Sequence, residues 1–189
     1  MEAIRQGPVI VLPKLKQELS VRGSKIIARV RSSDTDGEYS VVEETVPPGG
    51  GTPFHVHRRE DEIFYVLEGE FEIQCGERTF IAGKGTNGVA PRNVPHSHRN
   101  VGTRPATILV TLRPGGFEGY FDEIDALPRD VPADLEQVRS IARKYKVELL
   151  GRLMLVIQDE VSWGSVGNRE TASKAEVRDR WGPPSQTLL

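Results

Sequence analysis

The amino-acid sequence predicts a mainly β domain, a sandwich or barrel, with a C-terminal helical extension. Three observations carry this expectation. Short runs rich in β-branched and aromatic residues recur at 24–31, 38–46, 62–67, 70–75, 77–81 and 107–112. Turn signals separate them: Asp36-Gly37, Pro47-Pro48 followed by Gly49, Gly50 and Gly51, then Gly69, Gly76, Gly83 and Gly102. After Arg113 the apolar period lengthens from that of a strand to that of a helix. Short strands at such regular spacing suit a sandwich or barrel.

Each element has a local reason. In 71–75 (FEIQC) a period of two puts Phe71, Ile73 and Cys75 on one face. Cys75 therefore reads as a small buried hydrophobe rather than a nucleophile or ligand. Phe117, Tyr120, Phe121 and Ile124 recur at i, i+3, i+4 and i+7, a helical stripe that Pro128 and Pro132 interrupt. Asp134 caps a second helix, with Gln137 in the capping-box position and Leu135, Val138, Ile141 and Tyr145 as its apolar stripe. Both stripes are expected to pack on the β core. Beyond Gly151 the signal weakens: 153–157 offers one more strand, and 164–189 mixes Gly, Ser, Arg, Glu and Pro without a period.

The chain has 189 residues, enough for one domain. A domain of this size buries about 70% of its unfolded surface and needs no disulfide staples. Its lone cysteine excludes an intramolecular disulfide and fits a reducing compartment. The apolar run 9–12, ended by Pro13, is too short for a signal-peptide core or a membrane span, so the expectation is a cytoplasmic protein without a membrane partner. Net charge is −2, and Arg58 and Arg59 are cancelled at once by Glu60 and Asp61. With no basic stripe, no nucleic-acid partner is expected. Arg139, Arg143, Lys144 and Lys146 read as a solvated helix face.

All four histidines fall in two short stretches, 53–57 (PFHVH) and 95–98 (PHSH). Residues two apart on a strand face the same way, so His55 and His57 can aim both imidazoles into one cavity. Neutral imidazole is a common donor to Zn, Cu, Fe and Ni. Glu62 heads the next apolar run and shares a face with Phe64 and Val66, candidate neighbours of the pocket. A carboxylate on such a face is costly to bury as a free charge, and a metal cation offsets that cost. His96 supplies a third imidazole. His98 shares its face if the strand continues. It reads more simply as a surface or strand-edge histidine than as a support for the ligands or a pocket base. A separate match, Gly83-x-Gly85-x-x-Gly88, fits a dinucleotide-binding pattern, but the prolines at 91 and 95 forbid the helix that must follow, so it is rejected.

The spacing Gly49-x5-His55-x-His57-x4-Glu62-x6-Gly69 resembles the first motif of the cupin family, and Gly85-x5-Pro91-x-Asn93-x2-His96-x3-Asn100 resembles the second. Only Asn93 departs, where the family usually has glycine; Asn also tolerates the left-handed backbone that such a turn needs. The resemblance implies a double-stranded β-helix, a jelly-roll barrel, over roughly 24–113. It leaves 1–23 as an N-terminal arm, 114–150 as helices packed on the barrel and 151–189 as an extension. It also implies that His55, His57, Glu62 and His96 hold one divalent transition metal. Some cupins have lost their metal, but a chain that had done so is expected to lack a ligand, and none is missing here.

The stretch 114–121 (PGGFEGYF) and the amphipathic run 134–150 resemble single-domain bacterial cupins of the quercetin 2,3-dioxygenase-like group. That likeness implies a dioxygenase acting on an enolisable, flavonol-like or other aromatic small molecule. Glu62 then doubles as general base, and the metal is Ni, Mn, Fe, Co or Cu. A non-oxidative cyclase or isomerase, served equally well by Zn as Lewis acid, and a non-catalytic small-molecule-binding cupin are the other classes. A homodimer is the oligomeric state the resemblance implies.

Overall fold

The structure is a computed structural model that describes residues 18–128 and 135–150, together with 8, 10 and 12. The proposed cap Asp134, the candidate strand at 153–157 and the aperiodic segment 164–189 lie outside the described residues. Those residues hold β1 (Glu18–Val21), β2 (Ser24–Val30), β3 (Ser40–Val46), β4 (His55–His57), β5 (Asp61–Glu68) and β6 (Glu70–Cys75). Then follow β7 (Arg78–Gly83), β8 (Asn87–Ala90), β9 (His96–Asn100), β10 (Ala106–Arg113), α1 (Glu118–Asp125), α2 (Leu135–Lys144) and β11 (Val147–Leu149). Among the described residues no helix is long and apolar enough to cross a membrane.

The strands form two sheets, ordered β1-β2-β3-β10-β5-β8 and β11-β4-β9-β6-β7, and the pairing is antiparallel throughout. This is the mainly β jelly-roll architecture the sequence predicts. Alternation explains how each sheet turns one face inward. In β10 the buried residues are Ala106, Ile108, Val110 and Leu112; in β3 they are Ser40, Val42, Glu44 and Val46. Val66 from β5 of the same sheet joins them, and Phe71 and Ile73 from β6 close the core from the facing sheet. Two glycines permit close approach. Gly69 turns β5 into β6 at φ +82°, where a Cβ would stand 2.4 Å from that of Ala106. Gly51, at φ +155°, brings its backbone against β9, where a Cβ would lie 2.0 Å from the His98 carbonyl oxygen.

The ends of the barrel differ from the sequence expectation. Residues 18–21, assigned to an arm, form β1, with Leu19 and Val21 buried and paired to β2. The amphipathic run expected through 134–150 ceases to be helical at Lys144. Lys146 takes a left-handed conformation (φ +59°), and Val147–Leu149 pairs with β4, Val147 opposite His57 and Leu149 opposite His55. Arg58 brackets this strand: its N–H donates to the Lys146 carbonyl at 2.9 Å, and its guanidinium donates twice to Glu148, at 2.9 and 2.7 Å. In α2, Val138 and Ala142 are the buried residues, while Leu135 is exposed.

α1 is fastened over the barrel by polar contacts. The buried Glu118 carboxylate accepts hydrogen bonds from Ser32 N (2.8 Å), Ser32 Oγ (2.6 Å) and Gly116 N (2.9 Å). Arg31 grips Asp122 with two bonds of 2.7 and 2.8 Å. The helix thereby holds Phe117 and Tyr120 stacked, ring centres 5.0 Å apart, on the barrel mouth. The GxGxxG stretch is the turn between β7 and β8, followed by a strand and not a helix.

Candidate metal centre

The site is assembled from three strands of two sheets. β4 contributes His55 and His57 on one face, and β9 places His96 directly opposite His55 in register. β5, from the other sheet, contributes Glu62. All four side chains are buried, and one donor atom of each lies within 4.8 Å of the others. His55 Nε2 is 3.2 Å from His57 Nε2; Glu62 Oε2 is 3.6 Å from His57 Nε2 and 3.4 Å from His96 Nε2.

The outer ring nitrogens explain why the inner ones converge. His55 Nδ1 lies 2.8 Å from the Pro53 carbonyl, and His96 Nδ1 lies 2.9 Å from the Val94 carbonyl. A carbonyl only accepts, so each Nδ1 carries the proton and each Nε2 presents a lone pair. His57 Nδ1 faces Glu60 Oε2 at 3.4 Å, which selects the same tautomer. His96 Nε2 is buried without a hydrogen-bond partner. Three inward lone pairs and a carboxylate oxygen suit a cation, and this donor set can hold a divalent metal ion.

Electrostatics agree with that geometry. Burial, with the neighbouring His96 and His57 imidazoles, pushes His55 down to about 3, so it is neutral at ordinary pH. At His96 burial opposes charge, but the Glu62 carboxylate outweighs it and raises the imidazole above its ordinary value. Burial acts to raise Glu62, yet the imidazoles around it hold its carboxyl well below the usual range.

Phe64 and Val66 share the inward face of β5 with Glu62 but are not among the residues lining the cavity. Val66 is wholly in the core, and Phe64 lies across Gly88, where a Cβ would come within 2.2 Å of its ring. Nor is His98 a strand-edge histidine: it is 6% exposed, edge-on to Phe71, and its Nε2 lies 3.2 Å from Glu44 Oε2. Cys75 is half-buried rather than buried, opposite His96 on β6; burial first, then the Glu62 charge, pushes its thiol up. A protonated thiol fits the expectation that it is not a ligand. Asn93 adopts φ +67°, the left-handed turn expected of it, and donates its N–H to the His57 carbonyl at 2.8 Å.

Two acids escaped the sequence reasoning. Glu60 is 1% exposed although it stands in a run of charges, and no periodicity marks it. Glu44 did carry a signal: it falls in register with Val42 and Val46 on the inward face of β3, whereas Glu43 faces outward to Arg29. A cavity of about 60 Å³ lies against His55, His57 and Glu62. Glu44 and His98 line it too, and its walls include Phe117 from the start of α1 and Val147 and Leu149 from β11.

Comparison with known proteins agrees with this fold. Residues 42–112 match the family model described as the cupin domain. An uncharacterised protein of Methanocaldococcus jannaschii is 31% identical over 102 residues, which span 53% of this chain and 82% of that protein. The chain belongs to the cupin superfamily. The quercetin 2,3-dioxygenase of Bacillus subtilis is 31% identical over 88 residues, 47% of this chain and only 26% of the dioxygenase. The solved structure of KdgF from Halomonas sp. superposes with a TM-score of 0.54 at 18% identity, covering 59% of this chain and 98% of that one, a likeness of fold alone.

Two outcomes are expected. Glu60→Gln should weaken metal affinity about 10- to 100-fold, since a carboxamide holds the His57 tautomer less well; titration with a chelator-buffered metal checks this, and an unchanged affinity would show that Glu60 does not orient His57. Metal content after dialysis should fall as pH drops. His96 has a raised value, so protons compete from above the ordinary histidine value of about 6.5 downward. Full loading that persists at strongly acid pH, with the fold intact, would contradict the ligand assignment.

Proposed function

We propose that this cupin is a metal-dependent enzyme that uses dioxygen to cleave a compact, enolisable carbonyl compound. The observation that carries the proposal is the convergence of His55, His57, His96 and Glu62, three of which, His55, His57 and Glu62, line a cavity whose other lining residues are mostly apolar. His55, His57, His96 and Glu62 hold the metal. The ion supplies Lewis acidity toward an enol or carbonyl oxygen and, where redox-active, electron transfer. Glu62, ionised at working pH, is the proton acceptor when free of the ion. Phe117, Val147 and Leu149 exclude bulk water and offer an apolar surface to the substrate's carbon skeleton. The relation to a quercetin 2,3-dioxygenase supports this reaction class.

Cavity size refines the substrate. About 60 Å³ is far below the roughly 300–1,000 Å³ of pockets that enclose drug-sized molecules. A smaller enol therefore fits this cavity better than the aromatic substrate implied by resemblance. The same small volume favours a second reading, a non-oxidative isomerase or cyclase, because little room is left for dioxygen beside a substrate.

The test is oxygen uptake by protein loaded with iron, nickel, manganese, cobalt or copper, using a small 3-hydroxy-4-pyranone and a flavonol as probes. Uptake matched to loss of enol absorbance is expected, faster with the smaller probe and reduced at least about 100-fold in His96→Ala. Equal turnover under argon would replace the dioxygenase with the isomerase or cyclase. Binding without turnover in either atmosphere would leave a ligand-binding cupin.

A further inference from the structure

The cavity has a second polar end that the metal ligands leave unused. Glu44 on β3 and His98 on β9 come from opposite sheets and meet inside the barrel, carboxylate oxygen to imidazole Nε2 at 3.2 Å. Each is more than nine-tenths buried, at 7% and 6% exposed, and both line the cavity that holds His55, His57 and Glu62.

The plain alternative is an ion pair that only stabilises the core. Two observations weigh against it. His98 Nε2 makes no hydrogen bond of regular geometry, although the Glu44 oxygen stands 3.2 Å away. The neighbouring cavity walls Val42, Val110 and Leu112 are apolar. An apolar pair of similar volume would serve a purely structural role at least as well. A buried imidazole nitrogen left short of a partner beside open space is what a ligand group can satisfy.

Resting on the metal-dependent function proposed above, we infer that Glu44 and His98 form a second recognition pole that binds a hydroxyl group of the substrate. A hydroxyl oxygen seated between them donates to the carboxylate and accepts from the imidazole N–H, making both bonds at once. A carboxylate end is repelled by Glu44, and an ammonium end has no lone pair with which to accept from the imidazole N–H. The substrate is therefore bifunctional: an oxygen donor for the metal end, a hydroxyl for the Glu44–His98 end, and a short apolar link. Analogues without the hydroxyl are rejected because both side chains then stay unpaired in the cavity.

Cobalt-loaded protein tests this without turnover, since the cobalt visible band reports ligand entry. Propionate and 3-hydroxypropionate present the same carboxylate to the metal and differ only in the distal hydroxyl. Wild-type protein should bind 3-hydroxypropionate about tenfold more tightly than propionate. The preference should vanish in Glu44→Leu and His98→Leu, with cobalt content unchanged. If the leucine variants do not fold, the shape-preserving Glu44→Gln should still reduce the preference severalfold. Equal binding of the two acids by wild-type protein, or a preference that survives the substitutions, overturns the inference alone. No cobalt band in wild-type protein overturns the metal centre and this inference with it.

Discussion

The Nε2 atoms of His55, His57 and His96 and a carboxylate oxygen of Glu62 lie within 4.8 Å of one another in a buried space, and such a cluster of lone pairs is stable only with a cation or protons among them. Much of the architecture serves that constraint. Register places His55 opposite His96, and two sheets close on each other so that β5 delivers the carboxylate from the far side. The outer nitrogens are tied to Pro53, Val94 and Glu60, so the rings cannot turn their lone pairs away. Asn93 holds the turn beneath His57, and the side-chain-free Gly51 lets the incoming loop lie against β9.

The cover over the site depends more on packing and backbone pairing than on its visible ion pairs. Arg58 and Glu148 are about half exposed, so solvent screening leaves their bidentate contact little weight. Burying Val147, 2% exposed, is worth about 1.5–3 kcal/mol. The pairing of β11 with β4 also satisfies backbone groups on the strand that carries His55 and His57. The position of the cover and the shape of the cavity are therefore coupled through Val147, Leu149 and Phe117.

Much of the barrel was legible in the sequence because period-two alternation and turn glycines act locally. The clustering of His55, His57, Glu62 and His96 was legible because their spacing resembles two family motifs, and the α1 stripe because Phe117, Tyr120 and Phe121 follow a helical period. What escaped was set by tertiary contact or by brevity. β1 and β11, of four and three residues, are too short to show a period; β11 also directly follows a helix whose apolar stripe runs up to it. Glu60 is buried by what folds around it, not by anything in the run Arg58 to Glu62. His98 and Glu44 are different. Period two aligns Glu44 with Val42 and Val46 and His98 with His96; the rarity of buried charged side chains weighed wrongly against His98, and the same local signal at Glu44 went unread.

The most direct test of the central claim is X-ray absorption at the zinc edge of protein loaded with one zinc ion per chain. The account predicts three imidazole rings, recognisable by their outer-shell scattering, at about 2.0–2.1 Å, together with carboxylate oxygen. A spectrum with fewer than three imidazoles, or one unchanged when His96 is replaced by Ala, would show that these side chains do not share an ion.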